Sequence, residues 1–332
     1  MTLFAPAVQA FFTTRLITQR AASPATIASY RDTIRLLVQY ASATTGKTPS
    51  ALDFADVDHK CVTGFLEHLA TERGNSPATR NTRLTAIHSL FAASVLAHPE
   101  HADDIALVLD IPGVKTGKRE VTFLNDDEAD ALIAAPDTTT RAGRRDRVLW
   151  VVGAGTGLRV SELVSLTRAD IDTTGKRPVV TVIGKGRKQR STPLPGQAAA
   201  SHLARWLEET PSAPTSPVFP SRNGGPMSRD AVEARLKLSV RTAGKDCPSI
   251  NSKRVTCHTL RHTCAMRLLR AGNDIATIAL WLGHESIETT MVYLHADMAL
   301  KLRALDRIPD TRAVPKDRYQ PEDQLLGFLQ GL

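Results

Sequence analysis

The chain has 332 residues, 42% of them hydrophobic, enough for two domains with real cores. Lys and Arg outnumber Asp and Glu by 42 to 34, and the net charge of +8 favours a polyanionic partner, of which nucleic acid is the commonest. No apolar run approaches the roughly 20 residues that span a bilayer, and the opening MTLFAPAVQAFFTTRL lacks the basic start and cleavage site of a secretory signal, so a cytoplasmic chain is expected. In that setting Cys61, Cys247, Cys257 and Cys264, none in a CxxC pair, are expected as reduced thiols. Cys257 and Cys264 stand beside His258 and His262, but the spacing matches no common zinc pattern and no metal is expected.

Residues 1–111 read as all-helical. Apolar residues recur at helical spacing over 8–17. Ser23-Pro24 opens a second helix, with Ser at the N-cap and Pro at the first helical position, where its missing N–H is no loss. Ile27, Tyr30, Ile34, Leu37 and Val38 form its apolar face. A third helix covers 57–69, with Asp58 as a cap. Ser76-Pro77 repeats the earlier start and opens a fourth, which turns Leu84, Ile87, Leu90 and Phe91 inward. Arg80 and Arg83 share another face of it; alone they are an ordinary solvated face, and beside a polyanion they are phosphate contacts. Residues 112–122, rich in Pro, Gly and basic residues including Lys115 and Lys118, read as a linker able to lie along a polyanion.

A second domain is expected over 123–307. Asn125 or Asp126 caps its first helix, which has an acidic first turn. After the apolar 147–153, Gly155 and Gly157 permit a tight turn into a helix over 158–166. Arg159 and Glu162 share one face of it, which in isolation makes a surface ion pair of little worth. The glycines are not a P-loop, because no GK[ST] follows. Residues 178–195 switch to strand character: VVTVI, a turn at Gly184 and Gly186, and a return strand QRSTPL. Lys185 sits at the tip, flanked by Arg187, Lys188 and Arg190. Such a fingertip reaches a phosphate, or else guards a strand edge. A helix over 197–210, a Pro/Ser/Gly-rich loop and a helix over 228–242 follow. The last turns Val232, Leu236 and Val240 inward and Arg229, Arg235, Lys237 and Arg241 outward. Residues 245–253 read as a polar loop.

Residues 256–293 hold the densest polar set. His258 and Arg261 project from one helix face, while Leu260, Cys264 and Leu268 line another that belongs in a core. His262, beside that stripe, reads as a structural histidine. Gly272 ends the helix and Asp274 starts the next, whose buried stripe is Ile275, Ile278 and Leu282. Gly283 stops it and leaves His284 at a turn. A last helix from about Ser286 carries Tyr293, which alone reads as an amphipathic core tyrosine. These elements make the chain mainly α with a small antiparallel β-sheet.

TGLRVSEL, GKGRKQR, HTLRH, and LGH followed nine residues later by Tyr293, taken together and in this order, resemble the tyrosine recombinase (phage integrase) family. Any one motif is weak; the ordered set is specific and covers most of residues 123–295. The N-terminal part more loosely resembles that family's SAM-like core-binding domain. The resemblance implies a helical SAM-like domain at 1–111, a linker at 112–122 and an α+β catalytic domain at 123–307. It implies the site residues Arg159, Lys185, His258, Arg261, His284 and Tyr293, the last as nucleophile, with Glu162 in support. It further implies cutting and rejoining of double-stranded DNA through a 3′-phosphotyrosyl intermediate, with no cofactor, ATP or metal, in a synapse of four protomers.

The residue types suit that chemistry. Two arginines clamp the non-bridging oxygens of a phosphodiester with forked donors, and His284 adds a hydrogen bond. His258 takes the proton of Tyr293, whose ordinary pKa is about 10. Lys185 protonates the leaving 5′-oxygen. Candidate DNA contacts are Arg80, Arg83, Lys115, Lys118, Arg187, Lys188, Arg190, Arg229 and Arg241. The extension 308–332 ends in a short apolar helix with Leu325, Leu326, Phe328 and Leu329, expected to dock on a neighbouring protomer or on its own domain. The first reading is a recombinase of a mobile element, working on DNA as a homo-oligomer or beside other recombinases of that element. A DNA-binding accessory subunit of the same fold and a type IB topoisomerase are the alternatives.

Overall fold

A computed structural model describes residues 2–117, 121–184 and 188–296, together with Phe328. The chain divides into two units, Met1–Arg119 and Glu120–Leu332. In the first, α1 (Phe4–Ala10) continues as a π-helix over Phe11–Gln19 and is followed by α2 (Pro24–Thr45), α3 (His59–Thr71), α4 (Pro77–Ser94) and α5 (Ala102–Leu109). The helix starts are written locally. Ser23 and Ser76 accept from the backbone N–H groups of Thr26 and Thr79, each with proline in the next position, and Asp58 caps Cys61 in the same way. Phe4, Phe54 and Phe91 pack at the centre, with edge-on ring pairs 5.3 Å apart for Phe4–Phe54 and 6.3 Å for Phe54–Phe91. Helix α5 is not foreseen from the sequence: it buries only Ile105 and Val108, too short a stripe to show a period.

The second unit holds α6 (Asp126–Ala134), α7 (Arg141–Thr156), α8 (Val160–Ser165), β1 (Ile171–Asp172), β2 (Val179–Ile183), β3 (Gln189–Pro193), α9 (Gln197–Glu208), α10 (Arg229–Asp246), α11 (Cys257–Arg270), α12 (Ile275–Leu282) and α13 (Glu288–Ala296). It is mainly helical with one antiparallel sheet of order β1-β2-β3. The expected hairpin forms with Ile183 opposite Gln189, and the N–H of Gly184 closes it on the carbonyl of Lys188 at 2.8 Å. Strand β1 is an addition, two residues pairing with Val179 and Val180. The expected loop at 245–253 contains a 3-10 turn, Pro248–Ser252.

Trp150 and Trp206 anchor the core of this unit, their indole N–H groups donating to Ser239 Oγ at 3.0 Å and to the carbonyl of Val218 at 2.8 Å. Arg235, expected to face outward, instead pairs with the buried carboxylate of Asp146, which Arg145 holds from the other side at 2.8 Å. A carboxylate buried this deeply requires paired donors, and that requirement outweighs the helical period of α10. Where the chain enters the unit, the N–H of Leu124 donates to Thr263 Oγ1 at 3.0 Å, Lys253 Nζ donates to the carbonyl of Phe123 at 2.9 Å, and the Arg270 guanidinium lies 5.0 Å over the Phe123 ring. Among the described residues, no helix is long and apolar enough to cross a membrane. Lys118, Lys185, Arg187 and the extension 308–332 lie outside the described residues, Phe328 excepted, which is exposed.

Candidate active site

Two tight turns bring the site together. The first ends α7 at Gly157, whose φ of +65° is left-handed, and a Cβ there would sit 2.5 Å from Leu282 Cδ2. Glycine therefore turns the chain and lets α12 come close. Arg159 follows as the residue before α8. Its N–H donates to Glu162 Oε2 at 2.8 Å, its Nη1 to Oε1 at 3.1 Å, and its Nη2 to the carbonyl of Gly283 at 3.4 Å. Glu162 is only 7% exposed, so this is not a surface pair.

Arg190 is the unexpected member. Sequence places it among the DNA contacts, but the register of β3 turns it inward, and its side chain is only 10% exposed. Its Nη1 and Nη2 donate to Glu162 Oε1 at 2.9 Å and Oε2 at 2.7 Å. Burial pushes the Glu162 carboxyl up, but the hydrogen bonds from Arg190 and the Arg159 backbone outweigh it and hold the group below its ordinary pKa.

The second turn, where Gly283 ends α12 with φ +65°, carries His284. Arg261, 1% exposed on α11, spans the two turns: Nη1 donates to the carbonyl of Gly157 and Nη2 to that of Leu282, both at 2.7 Å. Burial, with Arg159 nearby, lowers its pKa to about 10, which leaves it charged at neutral pH.

Tyr293, on α13, is 2% exposed and packs in a cluster with Met266, Leu269, Ile278 and Leu282. The hydroxyl expected to face His258 meets His262 instead, Nδ1 to Oη at 3.0 Å. His262 stands one turn further along α11, and its ring is edge-on to His258 at 4.4 Å between centroids. The His284 ring lies parallel to Tyr293 at 6.5 Å, and its Nδ1 is 2.7 Å from Thr290 Oγ1. Sequence reasoning misses His262 because spacing along α11 does not say which flank meets α13; the second histidine of HTLRH is the signal on offer.

Burial dominates the electrostatics of these groups. It lowers His262, with help from His258 and Arg261, to about 4, and lowers His284, with help from Arg261 and Arg159, to about 4. It lowers His258 as well, in the same direction as Arg261 and Arg159. It pushes Tyr293 up to about 12, against the pull of Arg261. At neutral pH the histidines are therefore uncharged and the phenol keeps its proton. A pocket of about 220 Å³ lies beside this cluster, lined by Gly184, Lys188, Arg190, Leu280, His284 and Glu285.

The structure thus gathers Arg159, Glu162, His258, Arg261, His284 and Tyr293, and adds His262 and Arg190. Of the other basic candidates, Lys115, Lys188, Arg229 and Arg241 are exposed. Arg80 and Arg83 are partly buried, and Arg80 Nε and Arg83 Nε and Nη1 have no hydrogen-bond partner among the described residues.

A helical unit followed by a mainly helical one with a three-stranded sheet, and arginines and histidines around one tyrosine, define a class that comparison identifies. Residues 122–299 match the phage integrase family and residues 9–98 match the phage integrase N-terminal SAM-like domain. The chain belongs to the phage integrase family, the tyrosine recombinases. It is 44% identical over 328 residues to a putative integrase/recombinase, y4rC, of Sinorhizobium fredii, spanning 99% of this chain and 98% of that protein. It is 36% identical over 287 residues to the tyrosine recombinase XerC of Xanthomonas campestris pv. campestris, spanning 86% and 83%. In fold it is similar to the XerH site-specific recombinase in a post-cleavage complex with palindromic difH substrate. The TM-score is 0.69 at 22% identity, over 87% of this chain and 81% of that one.

Proposed function

We propose that this chain is a site-specific DNA recombinase or integrase of a mobile element, cutting and rejoining duplex DNA by transesterification on Tyr293. One observation carries the reading: the hydroxyl of the buried Tyr293 is hydrogen-bonded to His262, with the His284 ring parallel to the phenol and the Arg261 guanidinium acting on it. A scissile phosphodiester carries one negative charge, and attack adds a second. Arg159 and Arg261 present forked donors to the two non-bridging oxygens, the kind of fixed electrostatic stabilisation that is usually the largest catalytic contribution. In the tautomer in which Nδ1 accepts from the Thr290 hydroxyl, 2.7 Å away, His284 keeps an N–H on Nε2 for one of those oxygens.

Tyr293 Oη forms the new bond to phosphorus as the bond to the 5′-oxygen breaks. The phenol proton passes to the His262–His258 pair, and the 5′-oxygen takes a proton from Lys185, a role that rests on the GKGRKQR motif. In the resting state a phenol near pKa 12 against an imidazole near 4 keeps its proton. Proton loss is therefore coupled to attack on a phosphate held by the arginines and does not precede it. The bond energy stays in the 3′-phosphotyrosyl ester, so rejoining needs neither ATP nor a metal.

Residues 1–111 act in this reading as the core-binding domain, 112–122 as the linker and 123–307 as the catalytic domain. The exposed cations Lys115, Lys188, Arg229 and Arg241 supply phosphate contacts, and the partly buried Arg80 and Arg83 join them on the strength of sequence. Lys118 and Arg187 join them on the strength of sequence. Affinity is then salt-sensitive. Strand exchange requires a homo-oligomer on DNA, four protomers on two sites. The test is a nicked suicide substrate built on the ends of the element that encodes the chain. A covalent protein–DNA band with the wild type, absent with Tyr293→Phe, supports the reading. No adduct with the wild type overturns it in favour of an accessory DNA-binding subunit.

A further inference from the structure

Arg190 is exempt from the role its position suggests. It sits in a basic hairpin, yet its guanidinium takes both oxygens of Glu162. Glu162 also receives the backbone N–H and Nη1 of Arg159, so its carboxylate is saturated by four donors from two arginines. The charges decide what this does. Arg159 and Glu162 alone form a neutral pair, and a phosphate approaching Arg159 competes with a buried carboxylate at 3.1 Å. With Arg190 present, two positive charges meet one negative, and one positive charge remains for the phosphate.

Packing fixes the arrangement. A Cβ on Gly283 would lie 3.0 Å from Arg190 Cδ, and one on Gly184 would lie 3.2 Å from Arg190 Nη1. The side chain is threaded between the base of the β2–β3 hairpin and the turn that carries His284. Gly283 is the residue whose carbonyl receives Arg159 Nη2.

We infer that Arg190 is a positioning residue for the cleavage reaction: by neutralising Glu162 it leaves the charge of Arg159 free for the scissile phosphate. The inference rests on the reading of Arg159 as a phosphate clamp. It predicts a dependence on substrate charge that neither a DNA contact nor a purely structural arginine has. A methylphosphonate at the scissile position replaces one non-bridging oxygen by methyl and removes the charge that Arg159 must meet.

The experiment measures single-turnover covalent-adduct formation by the full-length protein at saturating concentration, on phosphodiester and methylphosphonate suicide substrates, with DNA affinity measured alongside. Arg190→Met should slow adduct formation on the phosphodiester by about 10- to 100-fold with affinity nearly unchanged. On the methylphosphonate it should match the wild type to within about threefold. Arg190→Lys, which keeps the charge without the fork, should recover part of the loss. The double variant Glu162→Gln/Arg190→Met leaves no buried unpaired carboxylate and takes the place of Arg190→Met should that variant fail to fold. It should be no slower than Glu162→Gln alone. Equal loss on both substrates, or loss of affinity with unchanged cleavage once bound, overturns the inference. Arg159→Ala is the control for the underlying reading: if it is not relieved on the methylphosphonate, the clamp reading fails whatever Arg190 does.

Discussion

Acidification from pH 7 to pH 5 should destabilise the second unit through His262 and His284. Both imidazoles are held near pKa 4, chiefly by burial, against an ordinary value of about 6.5. The folded-state pKa is the lower one, so between the two values the unfolded chain binds the proton and the folded chain does not. The stability contributed by each neutral histidine is full above about pH 6.5 and is lost as pH falls towards 4. For one such group the loss between pH 7 and pH 5 is about 2 kcal/mol at most. Urea unfolding followed by tryptophan fluorescence isolates the effect, because Trp150, Trp206 and Trp281 all lie in the second unit. His262→Gln and His284→Gln should each remove up to about 2 kcal/mol of the wild-type pH dependence. If either variant keeps the full wild-type loss between pH 7 and pH 5, that histidine is not held neutral by its surroundings and the account of the resting site is wrong.

Three further outcomes follow from the same geometry. Gly157→Ala places a Cβ 2.5 Å from Leu282 Cδ2 at a left-handed φ of +65°, and should cost about 1–3 kcal/mol in the same fluorescence assay. Arg261→Lys cannot bridge the carbonyls of Gly157 and Leu282 and present a fork to a phosphate as well, so adduct formation on the suicide substrate should fall by about 100-fold or more. Ser76→Ala removes the oxygen that receives the Thr79 N–H at the start of α4 and should lower stability by about 1 kcal/mol in a thermal melt followed by circular dichroism.

What is legible from sequence is what is written locally. Ser23, Ser76, Asp58, Asn125 and Asp274 each cap the helix they precede, and Gly283 stops α12 with a left-handed φ. The hairpin is also local, a change of period around glycines. Arg159, His258, Arg261, His284 and Tyr293 are legible as an ordered set of motifs, although their shared neighbourhood is a property of packing. What is not legible depends on which side chain meets which across elements. Arg190 on a five-residue strand alternates with Gln189 and Ser191, and nothing local says which side carries a buried carboxylate. The same holds for Arg235, drawn in by Asp146. His262 reads as structural because its chain neighbours suggest a core; its hydrogen-bond partner, the Tyr293 hydroxyl, arrives from α13.

The anchoring of the chain entry makes the start of the second unit a lever. Phe123 and Leu124 lie near the start of the second unit, and they are hydrogen-bonded to Lys253 and to Thr263. Thr263 lies on α11 between His262 and Cys264, two residues from Arg261. A pull on the start of the unit is therefore taken up by Lys253 and by α11, the helix that carries His262, and not by the periphery of the unit.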